Sequence, residues 1–369
     1  MSVKNYAIPI KLDLTSNLTQ LTLDICNIPS VSKDETLIAN LVYEALSQYD
    51  HLHLSRLGNN IVARTELGRA QRVIIAGHLD TVPIADNLPA TLTSIDGIEH
   101  IVGRGSVDMK GGVAVQLALA AVLSEPSKDI TWVFYDCEEI ASEFNGLGKL
   151  VTHNPENLQA DFAILGEPTN AAIEAGCNGT LRVLVKTKGV TAHSARSWMG
   201  KNAIHLAADI LEKLSAYDAA TVVVDGLPYR EGLNAVKISG GIAGNVIPDE
   251  CVVTINYRFA PDKTPAQALQ HVQDVFSGYE IEVDDIAAGA RPGLNEGLVQ
   301  DFVQTVSELT GSEIKAKEGW TDVSRFTALG IPAVNFGPGN PLLAHKDDER
   351  LATQELFQCY AALDKWLRV

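Results

Sequence analysis

The feature that most constrains this chain is a set of short, continuously apolar runs, each breaking off into a loop that bears an acid or a histidine. Residues 73–76, 131–135, 162–165 and 333–336 read VIIA, TWVFY, FAIL and AVNF. Short runs that are apolar without alternation are read as strands buried on both faces, the mark of a parallel sheet covered by helices. Helical patterns lie between and after them: 112–123 is apolar nearly all round, whereas 298–309 and 355–367 are amphipathic. The expected class is α/β, with a central, mostly parallel sheet. In such sheets a site forms beyond the carboxyl ends of the strands. His78, the pair Glu138-Glu139, Glu167 and His345 all fall there, and Asp108 joins them from a glycine-rich loop that opens a helix. Two imidazoles and several carboxylates from separate segments are a ligand set for divalent metals, zinc above all.

The middle of the chain changes character. Residues 181–188 alternate apolar and polar, as a half-solvated strand does, and are followed by a helix (203–214), strands (235–239 and 250–259), a helix (265–276) and a last strand (279–283). The order βαββαβ is a ferredoxin-like α+β unit. It reads as an insertion over 178–288 within a first domain made of 1–177 and 289–369. The strand 250–259 is a candidate dimer edge. A chain of 369 residues exceeds the usual single core, so two domains agree with its length.

Composition narrows the function classes. A net charge of −17 argues against nucleic acid or an anionic membrane surface as partner. No apolar run approaches the roughly 20 residues of a membrane span, and MSVKNYAIPIKLDLTSN lacks the basic-then-apolar form of a signal peptide. Cysteines 26, 137, 177, 251 and 359 are scattered without metal-finger spacing, which reads as reduced thiols in a cytoplasm. Cys137, beside Glu138, is read as a packed thiol because no separate base accompanies it.

Each motif has a chemical rationale. In GHLDTVP (77–83), Asp80 stands where it can accept the second ring N–H of His78 and fix its tautomer; alone, the motif is equally a polar turn. In GRGSVDMKGG (103–112), the glycines allow close backbone approach and Asp108 has two oxygens with which to bridge two cations. The loop lacks the GK[ST] ending that grips phosphates. Adjacent acids at 138 and 139 can divide two roles, one as ligand and one as general base toward water. LGEPT (165–169) holds Glu167 extended before a proline, and GPGNPLLAHKDDE (337–349) presents His345. His193, in KGVTAHSARSW, lies in a small-residue loop of the inserted unit, within reach of a substrate oxygen.

Taken in order and over nearly the whole chain, GHLDTVP, GRGSVDMKGG, CEE, GEPT, KGVTAHSA, GNVIPDECVVTINYRF and the terminal GPG…AH resemble the dinuclear zinc aminoacylase/carboxypeptidase amidohydrolases. The resemblance implies a zinc-peptidase-like catalytic domain and an inserted lid that also makes a homodimer. It implies two Zn2+ per subunit, with Co2+ or Mn2+ as alternative occupants. Asp108 would bridge the ions, with His78 and Glu167 on one and Glu139 and His345 on the other. Glu138 would be the general base, Asp80 the partner of His78, and His193 a polarising group contributed across the dimer. Arg258 and Asn245 match positions that bind a substrate carboxylate. Thr321 resembles a substrate-contacting threonine, although Trp320 replaces the usual glycine before it and an acid falls one place early at Asp322. The implied reaction is hydrolysis of N-succinyl-LL-2,6-diaminopimelate to succinate and LL-2,6-diaminopimelate, in lysine and diaminopimelate biosynthesis. Spacing alone does not separate that substrate from acetylornithine, another N-acyl amino acid, or the substrate of a metallo-dipeptidase or carboxypeptidase. A non-catalytic metal-binding protein is the remaining alternative, and Glu138 argues against it, since holding metal needs no extra base.

Overall fold

The computed structural model describes residues 11–295 and 297–369. The chain divides into two compact units, one of residues up to 175 with 293–315 and 325–369, the other of 176–292 with 316–324.

In the first unit the four apolar runs are neighbours in one sheet. Arg72–His78 lies between Asp129–Tyr135 and Phe162–Leu165, parallel to both, and Ala333–Asn335 extends the parallel set beside Phe162–Leu165. Ile75 stands level with Trp132 on one side and Ile164 on the other. All three are buried, as are Ile74, Thr131 and Ala163 on the opposite face, so the sheet is covered on both sides. Antiparallel strands flank the set: Asn60–Arg64 against Asp129–Tyr135, and Glu174–Ala175 against Ala333–Asn335. The helix Gly111–Val122 is buried along all but its last residue. It packs against Arg72–His78 and between the helices Leu18–Cys26 and Thr353–Arg368, which is why its sequence is apolar nearly all round. Phe302, from the helix Gly297–Thr310, meets Phe162, Phe336 and Trp366 with ring centroids 4.9–5.7 Å apart. That aromatic knot fastens two helices to the sheet.

The second unit is a four-stranded antiparallel sheet in the order Gly232–Gly240, Glu250–Phe259, Gly179–Lys188, Glu280–Ala287. One face packs on the helices Ala203–Leu206, Ala208–Ser215 and Pro265–Val275 through Val183, Val185, Val253, Ile255 and Phe276. Two details differ from expectation. The first helix breaks at Ala207, whose N–H is shared between the carbonyls of Ala203 and Ile204. The candidate edge strand, Glu250–Phe259, is interior, paired with Gly179–Lys188 along its whole length and with Gly232–Gly240 from Cys251 to Arg258. Its inward side chains, Cys251 through Phe259 at every second position, are all buried, which suits a central strand. The exposed edges are Gly232–Gly240 and Glu280–Ala287.

Among the hairpins that go beyond the expected elements are Thr91–Ile95 with Ile98–Val102, and Thr221–Val224 with Leu227–Arg230. Each turns on Asp-Gly with both residues at positive φ (51° and 81°; 49° and 89°). That is the two-residue turn whose twist matches paired strands. Among the described residues, no helix is long and apolar enough to cross a membrane.

Candidate metal centre

The ends of the parallel strands bring the candidate ligands of the first unit together. His78 is the last residue of its strand, level with Tyr135, the last of its neighbour. Glu138 and Glu139 follow in the next loop, and Gly166, just before Glu167, donates its N–H to Ala76. Asp108 is the hub. Its Oδ1 lies 3.1 Å from His78 Nε2 and its Oδ2 3.2 Å from His345 Nε2. Glu139 Oε2 lies 3.0 Å from the same His345 nitrogen, and Glu167 Oε1 lies 3.9 Å from His78 Nε2. The five side chains thus fall into two groups that share Asp108. Ligand atoms of His78, Asp108 and Glu139 all lie within 4.8 Å of one another.

Electrostatics describe the same arrangement. Burial pulls the His78 imidazole down, but hydrogen bonds to Asp108 and Asp80 outweigh it and raise its pKa well above the ordinary value. His345 is raised to about 10 by its hydrogen bonds to Asp108 and Glu139. Burial pushes Asp108 up, yet the two imidazoles reverse this and hold its carboxyl below the usual range. Glu139 is raised by burial and then by the charge of Asp108. In this arrangement protons on the imidazoles neutralise carboxylates that would otherwise repel, a position divalent cations also fill. Imidazole nitrogen with carboxylate oxygen, and one carboxylate shared by two groups, fits a pair of such ions.

Asp80 has partners beyond His78. The Nδ1 of His78 lies 3.0 Å from the main-chain oxygen of Asp80 and 3.4 Å from its Oδ1. The same carboxylate also serves the acids: Oδ1 accepts the N–H of Glu138 at 3.0 Å, and Oδ2 accepts the N–H of Glu139 at 3.1 Å and the Ser32 hydroxyl at 2.7 Å. It therefore orients the two acids as well as the histidine. Other carboxylates that shape the site escaped the sequence reading. Glu35 Oε1, fully buried, accepts from the N–H of Lys33 and from both the N–H and thiol of Cys137. Glu349 grips the Asp108 loop. Their signal in the sequence is only an acid next to a loop, which many surface acids share.

The remaining candidates belong to the second unit. His193 and Asn245 are brought side by side, since His193 pairs with Val246 and Ser194 donates its N–H to the Asn245 carbonyl at 2.9 Å. His193 Nδ1 accepts the N–H of Ala195 at 3.1 Å, so the neutral ring carries its proton on Nε2 as an outward donor. Arg258 is half-buried on the strand Glu250–Phe259, opposite Thr180. Thr321 and Asp322 are buried, and Trp320 Nε1 donates to the Ala288 carbonyl at 3.0 Å.

The sequence matches the model of Peptidase family M20/M25/M40 over residues 74–368. A Mycobacterium tuberculosis protein provisionally named succinyl-diaminopimelate desuccinylase DapE is 52% identical over 359 residues, 96% of this chain and 99% of the relative. The succinyl-diaminopimelate desuccinylase of Corynebacterium glutamicum is 46% identical over 366 residues, 96% and 97% of the two chains. Among solved structures, a tripeptidase from Staphylococcus aureus superposes with a TM-score of 0.79 at 23% identity, covering 97% of this chain and 98% of its own. That likeness establishes the fold. With the family match spanning most of the sequence and identity above half over nearly all of it, this chain belongs to peptidase family M20/M25/M40.

Proposed function

We propose that this chain is a metal-dependent amide hydrolase that cleaves N-succinyl-LL-2,6-diaminopimelate to succinate and LL-2,6-diaminopimelate, in the cytoplasmic synthesis of diaminopimelate and lysine. The observation that carries this reading is end-to-end identity of 46% and 52% with two chains named for that reaction. The donor set supports two ions per subunit, zinc first and cobalt or manganese as alternatives. Asp108 would bridge them, His78 and Glu167 would hold one, and Glu139 and His345 the other. When bound, the pair supplies Lewis acidity toward water and the amide carbonyl.

The chain's own residues do the rest. Glu138, whose backbone Asp80 holds, takes a proton from the attacking water and returns it to the departing amine. His193, contributed across the homodimer with its proton on Nε2, donates to the oxyanion as the carbonyl becomes tetrahedral. Arg258 and Asn245 bind substrate carboxylate, a planar guanidinium being suited to two parallel hydrogen bonds; Thr321 contacts the same substrate. The inserted domain, 178–288, acts as lid and homodimer interface. Support for the dimer comes from the edge strand Gly232–Gly240, where Val236 and Ile238 are 58% and 50% exposed and whose end, at Gly240, lies against exposed Ile204.

The test is succinate release from the succinyl compound by zinc-loaded protein, with N-acetylornithine as competitor and Glu138→Gln as control. Selective turnover of the succinyl compound, lost in the variant, is the expected result. Preferred cleavage of acetylornithine or a dipeptide would overturn the substrate, and full activity of the variant would overturn the role of Glu138.

A further inference from the structure

Beneath the Asp108 loop lies a buried ion pair that the reaction as described does not use. Glu349 and Arg104, both almost wholly buried, meet at 2.8 Å. Each Glu349 oxygen is saturated by the loop that leads to Asp108. Oε2 accepts from Arg104 Nη1 and from the N–H of Gly105 at 3.0 Å, while Oε1 accepts the N–H groups of Val107 at 2.9 Å and Asp108 at 3.1 Å. Arg104 then reaches outward, with Nε to the Pro83 carbonyl at 3.1 Å and Nη1 to the Lys346 carbonyl at 3.2 Å. Pro83 ends the GHLDTVP loop that begins with His78, and Lys346 follows His345. Gly105, at φ +78°, has no room for a side chain because a Cβ would stand 2.8 Å from Thr81 Cγ2. One pair of side chains thus holds three loops, and each loop bears a candidate ligand.

We infer that the Arg104–Glu349 pair is a positioning element of the metal centre, fixing the Asp108 carboxylate and holding its loop in register with those of His78 and His345. The inference rests on the metal reading given above. Groups that orient ligands are typically worth about 10–100-fold in metal affinity or activity. A pure folding staple would act otherwise, and the molecule contains one for comparison. Asp129 accepts from Thr65 Oγ1 and from the N–H groups of Leu67 and Arg69 at 2.8–3.0 Å, beside Arg72. It has the same chemistry but begins the strand Asp129–Tyr135, at the opposite end from the candidate ligands.

The experiment uses the full chain stripped of metal and reloaded with zinc. It measures zinc affinity by competition with a chromophoric chelator, kcat and KM on the succinyl compound, and the melting temperature of the stripped form. Glu349→Gln keeps the shape but turns an amide N–H2 toward donors. We expect zinc affinity and kcat each to fall about 10–100-fold while KM holds. Asp129→Asn is expected to lower the melting temperature and leave zinc affinity and kcat in place. Glu349→Gln with parental zinc affinity and kcat would overturn the inference, as would the same losses in Asp129→Asn. Should Glu349→Gln fail to fold, Arg104→Lys keeps the charge but loses the planar fork; about tenfold weaker zinc binding is then expected, and parental affinity overturns the inference. A parent protein that takes up no divalent metal overturns the metal reading itself, which the affinity measurement distinguishes from failure of this inference alone.

Discussion

Asp80 illustrates how one side chain serves several others. Its two oxygens take the N–H groups of both Glu138 and Glu139, so the direction in which those acids leave the sheet depends on a residue 58 and 59 positions earlier. In Asp80→Asn one of those N–H groups faces an amide N–H2 and loses its acceptor. The expected result is a fall in kcat of about 10–100-fold with KM little changed, read from steady-state kinetics. An unchanged kcat would mean that the acids are oriented by something else. The cysteines offer a second prediction at this scale. All five are buried. Burial pushes the thiols of Cys26 and Cys137 up to about 12, and that of Cys177 to about 11. Thiolate, the reactive form, is therefore scarce. Iodoacetamide at pH 8 should label none of the five in the native protein and all five after unfolding, counted by mass spectrometry. Rapid native labelling of Cys137 would reopen the reading of it as a packed thiol.

At the scale of elements, the glycines of the site are places where backbones touch. A Cβ on Gly112 would stand 2.1 Å from the Gly166 carbonyl oxygen, and one on Gly337 2.3 Å from the same atom. The helix after Asp108, the loop with Glu167 and the loop leading to His345 thus converge on a single carbonyl. Gly112→Ala forces them apart, and a loss of about 1–3 kcal/mol is expected in denaturant unfolding; parental stability would show that the helix shifts freely. The four parallel strands were legible because their side chains are buried on both faces, leaving an apolar run with no competing pattern. The two Asp-Gly hairpins were equally legible in principle, since IDG and VDG each carry the Asp-Gly turn signal between strand-forming residues, but those strands are short and largely exposed. Strand order inside the inserted unit was harder. Glu250–Phe259 and Gly179–Lys188 alternate alike, and which one lies at an edge depends on partners far away in sequence. The candidate ligands could be proposed from sequence because they stand at or beyond the ends of strands. Glu35, Arg104 and Glu349 could not, because their work is done by hydrogen bonds to backbone that no pattern of residue types records.

At the scale of the molecule, the charge balance links the candidate site to stability. The chain carries a net charge of −17, and the first unit gathers Asp108, Glu139 and Glu167 around two imidazoles. Three carboxylates in one buried cluster repel unless cations or imidazole protons lie among them. Two divalent ions would supply four positive charges against the three negative ones. Ions that bind only the folded form add stability by mass action, about 4 kcal/mol when free metal exceeds the dissociation constant a thousandfold. For a domain of this size each kcal/mol moves the melting temperature by about 2–4 °C. Calorimetry before and after chelation should therefore show a drop of roughly 10 °C in the transition that includes the strands Arg72–His78 and Asp129–Tyr135. Readdition of zinc should restore it. The second unit, whose core of Val183, Val253, Ile255 and Phe276 draws on none of the five candidate ligands, has no reason of its own to respond. An unchanged melting temperature on chelation would mean that the carboxylates are neutralised without metal, and the assignment of five ligands to two ions would fall with it.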